Sequence, residues 1–435
     1  MNLKTMNKRG AELMGGRAMV LAMVSGMMLA IGAAAVAGPL APPAGPVGST
    51  GKTLTEVEPR VAMSQATTPG DADSVMKITA SGSYYLTQNI TVPSGDSGIL
   101  ITASNVTLDL NGFRIIGQIG SLNGVRVTGD RAGVQIRNGT IANTGGFGID
   151  MTSGGTCIGA IIESVTVTNG AGGGFDTGSS SIVRNCTATN NAGNGFFIGT
   201  SSVISGCTAS GNDAGGFIVG NNSRLVDCSA DGNGVLGYLL GSAVSVTGCT
   251  AATNAGAGFA SSANGVNMIG CTARGNTGNG FDLQNKARVD GYTASSNGDD
   301  GIRVAADCMV TDSHSSENQG DGFVGDDRTV MMRNHAAGNG VSAMVTGAGF
   351  RVIGQSMRVE GNHSSANERG FELVGSRNLL IRNTAAGNTV NYNVSGQNIY
   401  APTIDQTGAG QIGFFGNSAV TDATGTTHPN ANFSF

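Results

Sequence analysis

Two aspartates in the second half of the chain, Asp300 and Asp321, stand 21 residues apart in equivalent settings, each two residues ahead of a large apolar residue, with Asp299 beside the first. Carboxylates brought close together support two kinds of chemistry. They can hold Ca²⁺ through oxygen ligands, or one can raise the other's pKa so that it keeps a proton to donate as a general acid. Asp299, Asp300 and Asp321 are therefore the catalytic candidates, and Arg303, Asp326, Asp327, Arg328, Glu368 and Arg369 are candidate ligand-binding charges around them. The segment from Val341 to Ala348 enlarges the corresponding turn, and a loop inserted beside clustered charge on a regular scaffold is where function tends to be placed. The competing reading is solvated turn charge, because a fixed repeat imposes this spacing whether or not the pair does chemistry.

Three histidines, His314, His335 and His363, occupy one repeat position on an outward face. A spacing of about 4.8 Å between stacked strands is too wide for three imidazoles to converge on one tetrahedral ion, so no metal site is assigned to them. Of the seven cysteines, Cys186, Cys207, Cys228, Cys249 and Cys271 share an inward column, while Cys157 and Cys308 fall outside it. Buried cysteine packs as a small apolar residue, and parallel stacked Cβ vectors are poorly aimed for a disulfide.

The elements that position these residues follow from a repeat. A large apolar residue recurs at Val125, Ile149, Phe175, Phe196, Phe217, Tyr238, Phe259, Phe281, Ile302, Phe323, Phe350, Phe371 and Tyr392, mostly 21 residues apart. A fixed period of this length marks a solenoid. All but Tyr392 follow a glycine, which points to a corner needing positive φ or close backbone approach. An asparagine column runs in register from Asn191 through Asn212, Asn233 and Asn254 to Asn388, and Asn143 and Asn169 extend it backward. One asparagine per rung predicts an amide ladder along the axis, with left-handed backbone tolerated at a tight turn. Short alternating segments such as Val203-Ile204-Ser205 and Cys207-Thr208-Ala209 read as strands. The fold class expected is all-β, a single-stranded right-handed parallel β-helix of about 21 residues per rung, since β crossovers are right-handed.

Composition agrees. The 435 residues include 72 glycines and no tryptophan, and 12% are charged, which suits thin glycine-cornered layers better than a conventional core. A net charge of −5 excludes nucleic acid as a partner, because phosphate-backbone binding rests on clustered Lys and Arg. Residues 1–37 read as a signal peptide, basic and then apolar, ending in Ala35-Val36-Ala37; left uncleaved, the same stretch would make a membrane anchor. Residues 38–77 form a Pro/Gly-rich linker and lead-in, 78–400 the β-helix, and 401–435 a C-terminal cap or tail.

The rungs GNGFFIGTSSVISGCTASGN and DGFVGDDRTVMMRNHAAGN, with the entry motif NVTLDLNGF, resemble the right-handed parallel β-helix repeat proteins of the pectin-lyase-like class over about residues 78–400. The resemblance implies the fold and, among its members, lyases, hydrolases, epimerases, phage tailspikes and adhesins. The Gly-His-Gly and Arg-x-Lys motifs expected of polygalacturonase-type hydrolases are missing from the chain. The expected function is a secreted, periplasmic or cell-surface protein, non-catalytic, with a structural role or binding polysaccharide or cell-envelope components. The alternative is a carbohydrate-active enzyme, lyase or glycoside hydrolase, working at the acidic turn. No cofactor is expected unless that turn binds Ca²⁺.

Overall fold

In a computed structural model of the protein, residues 59–341, 347–395, 397–401, 403–405, 413–415 and 429–435 are described. The signal-peptide segment, most of the linker and the middle of the enlarged 341–348 turn lie outside them.

Each rung contributes three short strands, as in Phe196–Ile198, Val203–Ser205 and Thr208–Ser210. The first strands stack into a 16-stranded sheet, parallel from Ser74–Ile78 onward. The second and third strands form a 31-stranded sheet, bent where Gln135–Ala142 and Ile161–Thr168 run continuously through both faces. Pairing joins each residue to its equivalent one rung on, as with Phe196 and Phe217 or Thr208 and Ser229. No helix occurs among the described residues. Parallel pairing already begins at Val61–Ala62 against Tyr84–Tyr85, so the lead-in before residue 78 contributes to the coil.

The core is a set of single-residue columns. Rings of Phe175, Phe196, Phe217, Tyr238, Phe259 and Phe281 stack at 4.5–4.9 Å within 4° of parallel. The strand spacing imposes this separation, because equivalent side chains repeat at about the distance between hydrogen-bonded strands. Where the column narrows at Ile302, Tyr292 leans in from the neighbouring column and stacks on Phe281 at 4.5 Å. The five column cysteines, together with Cys157 and Cys308, are all buried and free.

The asparagine column is an amide ladder, as expected. Asn212 Nδ2 donates to Asn233 Oδ1 at 3.0 Å, and Asn233 to Asn254 at 2.9 Å, while each oxygen also accepts the backbone N–H one rung back. Two details differ from expectation. The left-handed residue is the one before the ladder, such as Asn190 (φ 55°), Gly211 (φ 61°) or Thr253 (φ 52°), because the ladder amide must point inward. Asn143 and Asn169 (φ 58° and 55°) belong to that left-handed column, and Gly170, whose N–H bonds Asn191 Oδ1, takes the ladder position. The glycines before the apolar column serve close approach. At Gly195 a Cβ would lie 2.8 Å from the Gly216 carbonyl oxygen.

The C-terminal segment completes the last rung. Asn432–Ser434 pairs parallel with Thr384–Ala386, and Asn432 Oδ1 accepts the Asn383 backbone N–H at 3.0 Å, continuing a second ladder through Asn334 and Asn362.

Candidate functional site

Asp300 and Asp321 sit at adjacent rungs of the turn between the third and first strands, and they are 5% and 4% exposed. This corrects the solvated-charge reading: the turn folds each carboxylate against the backbone of the next rung. Asp300 Oδ1 accepts the Asp321 N–H at 2.8 Å, and Asp321 Oδ1 accepts the Ala348 N–H at 2.6 Å. Asn279 does the same for the Asp300 N–H, at 3.0 Å, and Asn194 for Gly215, at 2.9 Å. The two aspartates therefore occupy positions where asparagine serves elsewhere. Their outer oxygens face Arg303 and Arg351, each at 3.3 Å. Burial pushes the Asp300 carboxyl up to about 6, against the Asp321 N–H bond and with help from the Asp321 charge; burial also raises Asp321.

The other sequence candidates are dispersed. Asp299 is exposed in the same turn. Asp326, Asp327 and Arg328 lie beyond the far end of Phe323–Gly325, where Arg328 bonds Asp307 at 2.6 Å and Asp327 accepts the Gln355 N–H at 2.8 Å. Arg369 pairs with Glu372, and half-buried Glu368 lines a shallow dent with Gly340 and Thr389. The histidine rings stand 4.8 and 4.9 Å apart, tilted, with His335 bonded to Ser365 at 3.4 Å and its pKa lowered by burial and by its two neighbours. No group of three or more His, Cys, Asp or Glu suited to a metal ion occurs among the described residues.

A second carboxylate pair, not singled out from the sequence, lies on the outer face of the first sheet. Asp150 and Asp176 follow the inward residues Ile149 and Phe175 and are direct strand partners, with Arg126 on the rung before. Asp150 is fully bonded: Oδ1 accepts the N–H groups of Thr152 and Ser153 at 3.2 and 3.0 Å, and Oδ2 accepts Asn123 Nδ2 at 2.8 Å. Asp176 differs. Its Oδ2 accepts the Thr152 hydroxyl at 2.6 Å, but its buried Oδ1 has no partner, in a residue only 7% exposed. Burial pushes this carboxyl up to about 6, opposed by the Thr152 bond and reinforced by the Asp150 charge. Buried Arg126 Nε also lacks a partner.

On the next rung Phe197, partner of Asp176, is 45% exposed, followed outward along the sheet by Ile218 and Leu239. Strand alternation explains this ring: Phe196 points inward, so Phe197 must point out. The tyrosines Tyr84, Tyr85 and Tyr400, which lie outside the inward column, are engaged elsewhere. Tyr84 is buried and donates to the Ala80 carbonyl, Tyr85 lies under the Arg60 guanidinium, and Tyr400 packs on the core. Two signals in the sequence pointed to the second pair: aspartate directly after the inward residue on successive rungs, and a 26-residue spacing from Ile149 to Phe175 that marks an insertion.

Among curated proteins none matches the chain. Of solved structures, the A-module of a mannuronan C-5 epimerase from Azotobacter vinelandii is similar at 18% identity and a TM-score of 0.47, covering 74% of this chain and 90% of that one. The receptor-binding tailspike protein of bacteriophage Det7 is similar at 11% identity and a TM-score of 0.39, covering 77% and 74%. A family model described as "Right handed beta helix region" matches residues 77–233 and 162–290. With that match lying on rungs whose parallel register runs on to the last described strand, the chain is a right-handed parallel β-helix repeat protein.

Proposed function

We propose that this protein is an exported envelope or cell-surface β-helix that binds an extended polysaccharide across the outer face of its first sheet, without turning it over. The observation that carries this reading is the pairing of a buried carboxylate having one unpartnered oxygen, Asp176, with an exposed ring, Phe197, on the next rung. The apolar face of a sugar ring would rest on Phe197, whose C–H and π surfaces suit it, and a bridging water or a small shift of the Asp176 side chain would join the buried Oδ1 to a sugar hydroxyl. A buried acceptor left without a donor is costly, so a ligand hydroxyl or a water there is favoured by about 1–3 kcal/mol. Export rests on the reading of residues 1–37 as a signal peptide, which lie outside the described residues.

One observation favours a second reading, a carbohydrate-active enzyme. Asp176 holds its proton to about pH 6 beside Asp150, so it could serve as a general acid near neutrality. A strand spacing of about 4.8 Å between paired carboxylates is set by the fold and does not by itself argue for chemistry.

The test screens the protein against acidic and neutral polysaccharides, with and without Ca²⁺, following binding, new reducing ends and unsaturated products. Binding that weakens at least tenfold in Asp176→Ala and Phe197→Ala, with no product, supports the binding role. Product formation abolished by Asp176→Asn would establish the enzyme instead, and product abolished only in the Asp300→Asn/Asp321→Asn double variant would move its site to the acidic turn.

A further inference from the structure

The outer face of the third strands of successive rungs carries a column of hydroxyls, one per rung: Thr187, Thr208, Ser229, Thr250, Thr272 and Thr293. Within it the hydroxyls of Thr250 and Ser229 are bonded at 3.1 Å. Beside this column runs a second, two residues on, in which Asp231, Ala252 and Arg274 are successive strand partners. The small Ala252 side chain leaves a dent of about 370 Å³ in an otherwise flat face, lined among others by Thr208, Ser229, Thr272, Asp231 and Arg274.

The charges at its two ends are separated by two strand spacings, roughly 9.6 Å. They are too far apart to neutralise each other, and among the described residues Arg274 makes no ion pair. Asp231 is exposed and held by one bond, from the Thr253 hydroxyl to Oδ1 at 2.7 Å.

We infer that this dent is a subsite for one pyranose of a neutral, extended glycan lying along the rod axis, separate from the carboxylate pair on the first sheet. An acceptor held by Thr253 at one end and an exposed guanidinium donor at the other match a ring whose hydroxyls both donate and accept. The methyl group of Ala252 forms a floor for the ring's C–H face, and the flanking threonines and serines continue the polar contacts to neighbouring sugars. A rung rise of about 4.8 Å is close to the length one pyranose adds to an extended 1,4-linked chain, so successive sugars can meet equivalent hydroxyls. The balanced charge selects against a polyuronate, which Arg274 would attract and Asp231 repel.

The experiment titrates the exported full chain with hexamers of β-1,4-glucan, β-1,4-mannan, β-1,3-glucan and α-1,4-galacturonan by calorimetry. A neutral hexamer should bind, and Ala252→Trp, which fills the dent from outside, should weaken it at least tenfold, as should the Asp231→Asn/Arg274→Gln pair. Ala252 points outward, so unchanged urea unfolding of the variants serves as the control on folding, and the charge-neutralised pair keeps the test decisive if Ala252→Trp fails to fold. No neutral hexamer bound, or neutral binding indifferent to the dent variants, overturns the inference. Binding lost only in Asp176→Asn would overturn it while leaving the first-sheet reading intact.

Discussion

Asp300 Oδ1 accepts the backbone N–H of Asp321 at 2.8 Å, one rung along the axis. The same bond recurs from Asp321 to Ala348, so these carboxylates act as links in a turn ladder that asparagine supplies at Asn194 and Asn279. A carboxylate in this role keeps its acceptor but carries a buried charge the fold does not need.

Replacing Asp300 by Asn keeps the acceptor and removes that charge. Because the folded carboxyl is raised to about 6 from an unfolded value near 3.8, its ionisation opposes folding. Stability from this group is fully present below about pH 4 and falls as pH rises to about 6. Asp300→Asn should therefore stabilise by about 1–3 kcal/mol above pH 6, less whatever the Arg303 pairing contributes, and have little effect near pH 4, read from urea unfolding at both pH values.

Asp176→Asn should show the same sign, with stabilisation above pH 6 that fades toward pH 4, because its carboxyl is also pushed up to about 6. Observing its titration directly, by carbon-detected resonance of labelled aspartate, should place the midpoint near 6. A midpoint near 4 would refute the buried, unpartnered carboxylate.

Asp321→Ala should destabilise by about 1–3 kcal/mol, since it strands the buried Ala348 N–H. Asp321→Asn should recover most of that loss, and recovery by Asn is the result that separates a ladder role from a charge role.

Asn254 donates to Asn276 Oδ1 at 2.9 Å and to the Ala230 carbonyl at 3.2 Å, and accepts from both the backbone and side chain of Asn233. Asn254→Ala leaves several buried groups unmet and should cost at least about 3 kcal/mol, with faster amide exchange concentrated in the rungs on either side.

The seven thiols should resist alkylation in the folded protein and react together after denaturation, since all are buried and burial pushes the Cys157 and Cys271 thiols up to about 11. Partial reaction of native protein would show that the columns open locally.

The sequence by itself determined the architecture. A strict period leaves each rung one solution, stacking its equivalents, so Phe196 over Phe217 and Asn212 over Asn233 could be read from spacing alone. Periodicity carries no information about which side of a turn a side chain takes or how deeply the chain covers it. For that reason the one-residue offset of Asn143 and Asn169 and the burial of Asp300 and Asp321 needed the backbone itself. The pairing of Asp150 with Asp176 was hidden differently. The alignment of Ile149 with Phe175 places the aspartates after them on adjacent strands, but the 26-residue spacing obscures that register until the strands are laid side by side. The unpartnered oxygen of Asp176 is a property of everything packed around it, and tertiary structure alone decides that.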